Sequence, residues 1–208
     1  MTDTLLENSV NYVTEGVAEY VLTLFPPTFT GVCIDVGAYH PFWINNSWLL
    51  ERVGWDVHCI EPNPNCIPLL KQHRKNVYQY ACGAHNEDDA QLFIYRSPIV
   101  GDAGGTGILR HPDWGSEQSF SHIDKTNIRS LNWLLQNEIK VDHIDCLSID
   151  TERSEMVVLN GIDLDFYKPK VIVIEDIDKE GIQKEYLEAR GYTYIHRIIF
   201  NDFYMRNE

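Results

Sequence analysis

The 208-residue chain has no apolar run approaching the roughly 20 residues that cross a bilayer. Its opening stretch, MTDTLLENSVNYVTEG, lacks the basic and then apolar regions of a secretory leader, so the expected location is the cytoplasm and no membrane partner is expected. Basic residues are scarce, with 17 Lys and Arg against 31 Asp and Glu and a formal net charge of −14. Such a chain repels a phosphate backbone, and no Lys/Arg stripe interleaved with aromatics offsets it, so nucleic acid is not an expected partner. Only Lys71 to Lys75 forms a small basic patch. Close-set cysteine pairs are missing as well. Cys33, Cys59, Cys66, Cys82 and Cys146 are scattered and odd in number, which excludes a zinc knuckle and points to buried free thiols. There is no internal repeat, low-complexity tract or linker, and a 44% hydrophobic content over this length indicates one domain spanning residues 1–208.

What is present alternates. Leu5, Leu6, Val10, Val13, Val17, Tyr20, Val21 and Leu24 recur at mostly three- and four-residue intervals until Pro26-Pro27, predicting an amphipathic helix over about residues 4–24. Short apolar runs follow at Val32 to Val36, Val57 to Ile60, Val77 to Ala81, Ile144 to Ile149 and Val171 to Ile174, each the length of a buried strand. Helix-like segments lie between them: Ser47 to Val53, Asn65 to Arg74, Ser130 to Asn137, Glu152 to Leu159 and Lys179 to Arg190. Strands alternating with helices imply a parallel sheet with right-handed crossovers. Tyr192 to Arg197 and Ile199 to Tyr204 are too close together for a crossover and should pair antiparallel. The glycine-rich stretch Ser97 to Ser116 reads as a long loop on the acceptor side of a site.

Strand one runs into Asp35-Val36-Gly37-Ala38-Tyr39, and strand two ends at Glu61, 24 residues after Gly37. Both carboxyl ends face one crevice of an open parallel sheet, where ligands bind. Gly37 permits a tight turn, and Glu61 can accept two hydrogen bonds from a ribose diol. The dinucleotide fingerprint is absent: Tyr39 and Phe42 stand where Gly-x-Gly-x-x-Gly needs its second and third glycines. That disfavours NAD and FAD, whose pyrophosphate must approach the backbone. S-adenosylmethionine (SAM), with a ribose and an adenine but no phosphate, can be held by one glycine and an acid.

The stretch IDVGAYHPFWINNSWLLERVGWDVHCIEPNPN, Ile34 to Asn65, resembles the first motif of the FkbM family of SAM-dependent methyltransferases. A second match is Asp150-Thr151-Glu152-Arg153-Ser154-Glu155 followed by Val158-Leu159-Asn160-Gly161, and a third is VIVIEDID ending at Asp178. The resemblance implies a class I methyltransferase fold, a mostly parallel seven-stranded α/β sheet closed by a C-terminal antiparallel hairpin. It implies that Asp35, Gly37, Ala38 and Tyr39 lie at the methionine end of SAM and that Glu61 holds the ribose. Pro62 and Asn63 would shape that wall, Asn46 and Ser47 would start the first helix, and Cys82-Gly83 would border the adenine. It further implies methyl transfer to a hydroxyl of a sugar, glycan or natural product. Arg153 stands where the family has glycine, which keeps open an alternative: a non-catalytic SAM-binding or partner-binding module.

Transfer to a hydroxyl is helped by a base or a metal. Asp150 ends strand four, and Glu175 and Asp176 follow strand five. Asp150, Glu152 and Glu175 are the candidate catalytic carboxylates, while Asp150, Glu175 and Asp176 are candidate oxygen ligands for a divalent cation. Glu152 and Glu155, three apart, would share one face of a helix start, where acids also serve simply to stabilise the helix. His40 and His196 are the alternative bases.

Overall fold

The computed structural model describes residues 15–95, 106–109, 120–179 and 181–207. The helix α1, Val17–Thr23, precedes the strand β1, Val32–Val36. Then come α2 (Trp48–Arg52), β2 (Asp56–Ile60), α3 (Ile67–His73) and β3 (Asn76–Tyr78). Four further strands follow: β4 (Ala81–Gly83), β5 (Glu87–Tyr95), β6 (Thr106–Gly107) and β7 (Phe120–Ser130). A short helix α4, Leu131–Leu134, continues into a π-helical turn, Leu135–Ile139, ahead of β8, Cys146–Ile149. The chain closes with α5 (Glu155–Leu159), α6 (Leu164–Tyr167), β9 (Val171–Glu175), α7 (Ile182–Glu188), β10 (Tyr192–Ile198) and β11 (Asn201–Arg206). No helix among the described residues is long and apolar enough to cross a membrane.

Seven strands form one mixed sheet in the order β10-β11-β9-β8-β1-β2-β3. Its centre is parallel, and β11 runs antiparallel to both β9 and β10. The central strands read as continuous apolar runs because both faces are covered. On one face Ile34, Val36, Leu147, Ile149, Ile172 and Ile174 join a core with Leu131, Leu135, Val158 and Leu187. On the other, Cys33, Cys146, Val171 and Val173 join Val17, Val21, Leu50 and Leu70. The period of two thus sends alternate residues into two helical layers. All five cysteines are buried and free.

A second, four-stranded sheet, β4-β7-β5-β6, was not foreseen. The expected strand Val77 to Ala81 is divided by it: β3 ends at Tyr78, and Ala81 to Gly83 pair with Ile128 to Ser130. Gly83 allows that approach, since a Cβ there would lie 2.5 Å from the Ile128 side chain. Much of Ser97 to Ser116 lies outside the described residues, as does the expected helix before Glu15, but Thr106 and Gly107 pair with Phe93 and Ile94 rather than forming loop. The expected helix at Glu152 starts only at Glu155, because Glu152 and Arg153 take left-handed φ values of 56° and 72°. Arg74 of the supposed basic patch is 4% exposed and paired with Glu51, so it offers no charge to an outside phosphate.

Candidate functional site

The carboxyl edge of β1, β2, β8 and β9 opens into a cavity of about 260 Å³. Strand order places the contributing residues in a row along this edge: Glu61 after β2, Gly37 after β1, Asp150 after β8 and Glu175 at the end of β9. The backbone N–H groups of Gly37 and Ala38 both donate to the Ile60 carbonyl, at 2.9 and 3.2 Å, so the loop after β1 folds against the end of β2.

Glu61 joins these loops. Its Oε2 accepts from the Tyr39 N–H and its Oε1 from the Asn63 N–H, each at 2.8 Å. One lone pair on each oxygen remains for a ligand. The side chain is 4% exposed, and burial pushes its pKa up to about 7 against the pull of those two bonds. Asn63 donates in turn to Thr106 Oγ1 at 2.9 Å, tying the second sheet to the rim.

Of the expected cofactor residues, Gly37, Tyr39, Glu61, Pro62 and Cys82 line the cavity. Asp35, Ala38, Asn46, Ser47, Asn63 and Gly83 are not among the described lining residues. Asp35 shares its parity with Cys33, so its side chain falls on the α2 and α3 side of the sheet. There Ser47 Oγ donates to Asp35 Oδ2 at 2.5 Å, and Arg74 donates to Ser47 Oγ at 2.8 Å. Asp35 therefore anchors the helix that follows the loop. Ser47 does precede α2, but the capping oxygen is that of Asn45, which accepts from the N–H groups of Ser47 and Trp48 at 3.0 and 2.7 Å. Asn46 donates to Ser148 Oγ at 3.3 Å, Ala38 is buried with its carbonyl accepting from Asn45, and Gly83 serves the contact between sheets.

The three candidate catalytic carboxylates, Asp150, Glu152 and Glu175, are brought together on the cavity wall. Burial first, and then Glu152 and Glu155, raise the Asp150 pKa well above the usual range. Burial and the nearby Asp150 push Glu175 up to about 11, and burial and Glu155 push Glu152 up to about 7. Glu155 does not share a helix face with Glu152. Its Oε1 accepts from the N–H groups of Thr151 and Arg153, each at 3.0 Å, and so braces the left-handed turn that presents Glu152.

Among the described residues no group of three or more His, Cys, Asp or Glu side chains is arranged to hold a metal ion. The expected trio is divided because Glu175 and Asp176 are consecutive and face opposite ways. Asp176 accepts from the Lys179 N–H at 2.9 Å, outside the cavity lining. His40 is likewise not among the described lining residues; its Nδ1 accepts from the Trp43 N–H at 3.0 Å. His196 packs against Tyr20 in a tilted arrangement, with ring centroids 4.4 Å apart.

Sequence reasoning missed Glu15, Ile44, Tyr80, Phe200 and Asn201 on the wall. The one usable signal was topological: the turn between β10 and β11 had to emerge at the edge where β9 ends. The family profile of the methyltransferase FkbM domain matches residues 35–196. The chain belongs to the FkbM methyltransferase family. No curated protein matches it. The matched FkbM region begins at Asp35 and takes in Glu61, Asp150 and Glu175, whereas Asn201 falls beyond it.

Proposed function

We propose that this FkbM-family protein is a SAM-dependent O-methyltransferase of the class I arrangement, acting on a hydroxyl of a sugar, glycan or natural-product acceptor. The observation that carries the reading is the single cavity that sets Gly37 and Glu61 in line with Asp150 and Glu175. The lining suits the cofactor. It includes five carboxylates (Glu15, Glu61, Asp150, Glu152 and Glu175) and, among the described residues, no Lys, Arg or His. Such a wall favours a ligand bearing a sulfonium and an ammonium. Ile60, Pro62, Tyr80 and Ala81 supply an apolar slot beside Glu61 for an adenine.

When bound, SAM supplies a methyl group whose bond to sulfur breaks as its bond to the acceptor oxygen forms. Glu61 holds the ribose diol through its free lone pairs. Asp150 stands at the centre of the row and takes the proton of the attacking hydroxyl, and its raised pKa makes it the stronger base once ionised. Glu175 holds a proton at neutral pH in the absence of a cation and orients the hydroxyl beside it. Arg153 is not among the described lining residues; it pairs with Asp178 at 3.1 Å, so the departure from the family glycine leaves Glu152 at the wall.

Calorimetric titration with SAM and then with NAD tests the cofactor. SAM should bind and NAD should not, and Glu61→Ala should weaken SAM at least about tenfold, since hydrogen bonds to a charged group contribute roughly 1.5–3 kcal/mol each. Unchanged SAM affinity in a folded Glu61→Ala protein would discard the ribose assignment. Asp150→Asn should keep SAM binding and lower turnover roughly a hundredfold or more, the usual contribution of a positioned base.

A further inference from the structure

The row along the sheet edge continues past Glu175. The strand β11 pairs antiparallel with β9 and sets Asn201 directly opposite Glu175, so their side chains share one face. From Glu61 after β2 to Asn201 on β11 is four strand spacings, roughly 19 Å at 4.7–4.9 Å each. The cavity therefore has a far end remote from Glu61, walled by Glu175, Asn201, Phe200 and Glu15.

That end holds unspent hydrogen-bonding capacity. Asn201 is 2% exposed and lines the cavity, yet its Oδ1 has no partner among the described residues. Its Nδ2 donates to Glu15 Oε2 at 3.3 Å. A carboxylate accepts, so the bond to Glu15 engages the amide nitrogen and leaves Oδ1 as the amide atom still to be met. Glu175 Oε2 is also buried and has no partner among the described residues. Two adjacent orphan oxygens in a buried wall are costly unless a ligand meets them. Phe200, 48% exposed, and Ile44, 42% exposed, add apolar surface on the same cavity.

Building on the methyl-transfer reading above, we infer that Asn201, Glu175, Glu15 and Phe200 form the acceptor subsite, and that it takes an uncharged or cationic polyol. Adjacent hydroxyl or amino groups would meet Asn201 Oδ1 and Glu175 Oε2, with the carbon skeleton against Phe200. A phosphorylated or carboxylated acceptor is disfavoured there, because the Asn201 amide oxygen only accepts and no Lys, Arg or His among the described lining residues would pair with the acceptor's charge. Asn201 is thereby a specificity-determining residue.

The test uses SAM with a labelled methyl group and small-molecule extract from cells that encode the protein, separated by ion exchange into anionic, neutral and cationic fractions. Label should enter the neutral or cationic fraction. Asn201→Leu and Phe200→Ala should each lower transfer at limiting acceptor at least about tenfold, while SAM affinity, read by calorimetry on the same folded preparations, changes less than twofold. Label in the anionic fraction, unchanged transfer by both variants, or an equal loss of SAM affinity would overturn the subsite. Absence of label in every fraction from a protein that binds SAM would instead defeat the methyl-transfer reading, and this inference with it.

Discussion

The α-carbon of Gly37 lies so close to the backbone of Asp150 that a Cβ built on it would stand 1.7 Å from the Asp150 carbonyl oxygen. The loops after β1 and β8 therefore touch through their main chains, at the point of the cavity wall where Gly37 and Asp150 stand side by side. With φ at +89°, Gly37 is also in a region that L side chains rarely adopt.

Gly37→Ala consequently meets an immovable backbone atom and a strained φ together. Overpacking of this kind costs about 1–3 kcal/mol, and the positive φ adds about 1 kcal/mol. Denaturant unfolding should show a loss of at least about 2 kcal/mol, with SAM affinity falling in any protein that still folds. A mutant of wild-type stability would mean the two loops are not in contact.

The pKa of Glu61 sets a pH dependence. Its value is raised from 4.5 to about 7 by burial, so the folded protein keeps a proton that the unfolded chain has released. The associated stability is present below pH 4.5 and is lost as pH rises to about 7, on the order of 3 kcal/mol for a shift of this size. Melting temperature without SAM should fall across that window, and Glu61→Gln should flatten the fall. SAM affinity should rise over the same range, because the ionised carboxylate is the better ribose acceptor. A flat profile in the wild type would refute the burial argument.

Glu155→Ala removes the acceptor for the N–H groups of Thr151 and Arg153. The turn carrying Glu152 would lose its brace, costing about 1–3 kcal/mol for two part-buried donors left unmet. Turnover should drop more than SAM affinity, since Glu61 keeps its own bonds to the Tyr39 and Asn63 N–H groups. Equal loss of both would indicate general unfolding instead.

Arg153→Gly restores the residue type that the family motif carries at this position. Arg153 sits at φ +72°, where glycine is unstrained, and its ion pair with Asp178 is partly exposed and worth at most about 1 kcal/mol. The two effects oppose, so stability should change by less than about 1 kcal/mol and methyl transfer by less than about threefold. A large change in turnover at constant stability would show that Arg153 itself shapes the catalytic turn.

Local patterning by itself determined the seven runs that become the main sheet, the final antiparallel pair, the buried thiols and the strand-end positions of Gly37, Glu61, Asp150 and Glu175. An apolar run of strand length and a turn residue after it are local signals, and in a parallel sheet every strand end reaches the same edge. Tertiary structure alone decided the rest. Asp35 looked like a ligand residue, but strand parity turns it toward Ser47 and away from the cavity. The period of two names two faces without saying which layer covers each. The second sheet depended on β5 and β7, which pair across residues 96–119, and on their outer partners β6 and β4, contacts that no single run of sequence announces. Glu152 and Arg153 read as helical until the inward bond of Glu155 held them left-handed. Glu15 and Asn201, 186 positions apart, meet only because β11 lies beside β9, an adjacency set by long-range strand pairing that no local stretch of sequence encodes.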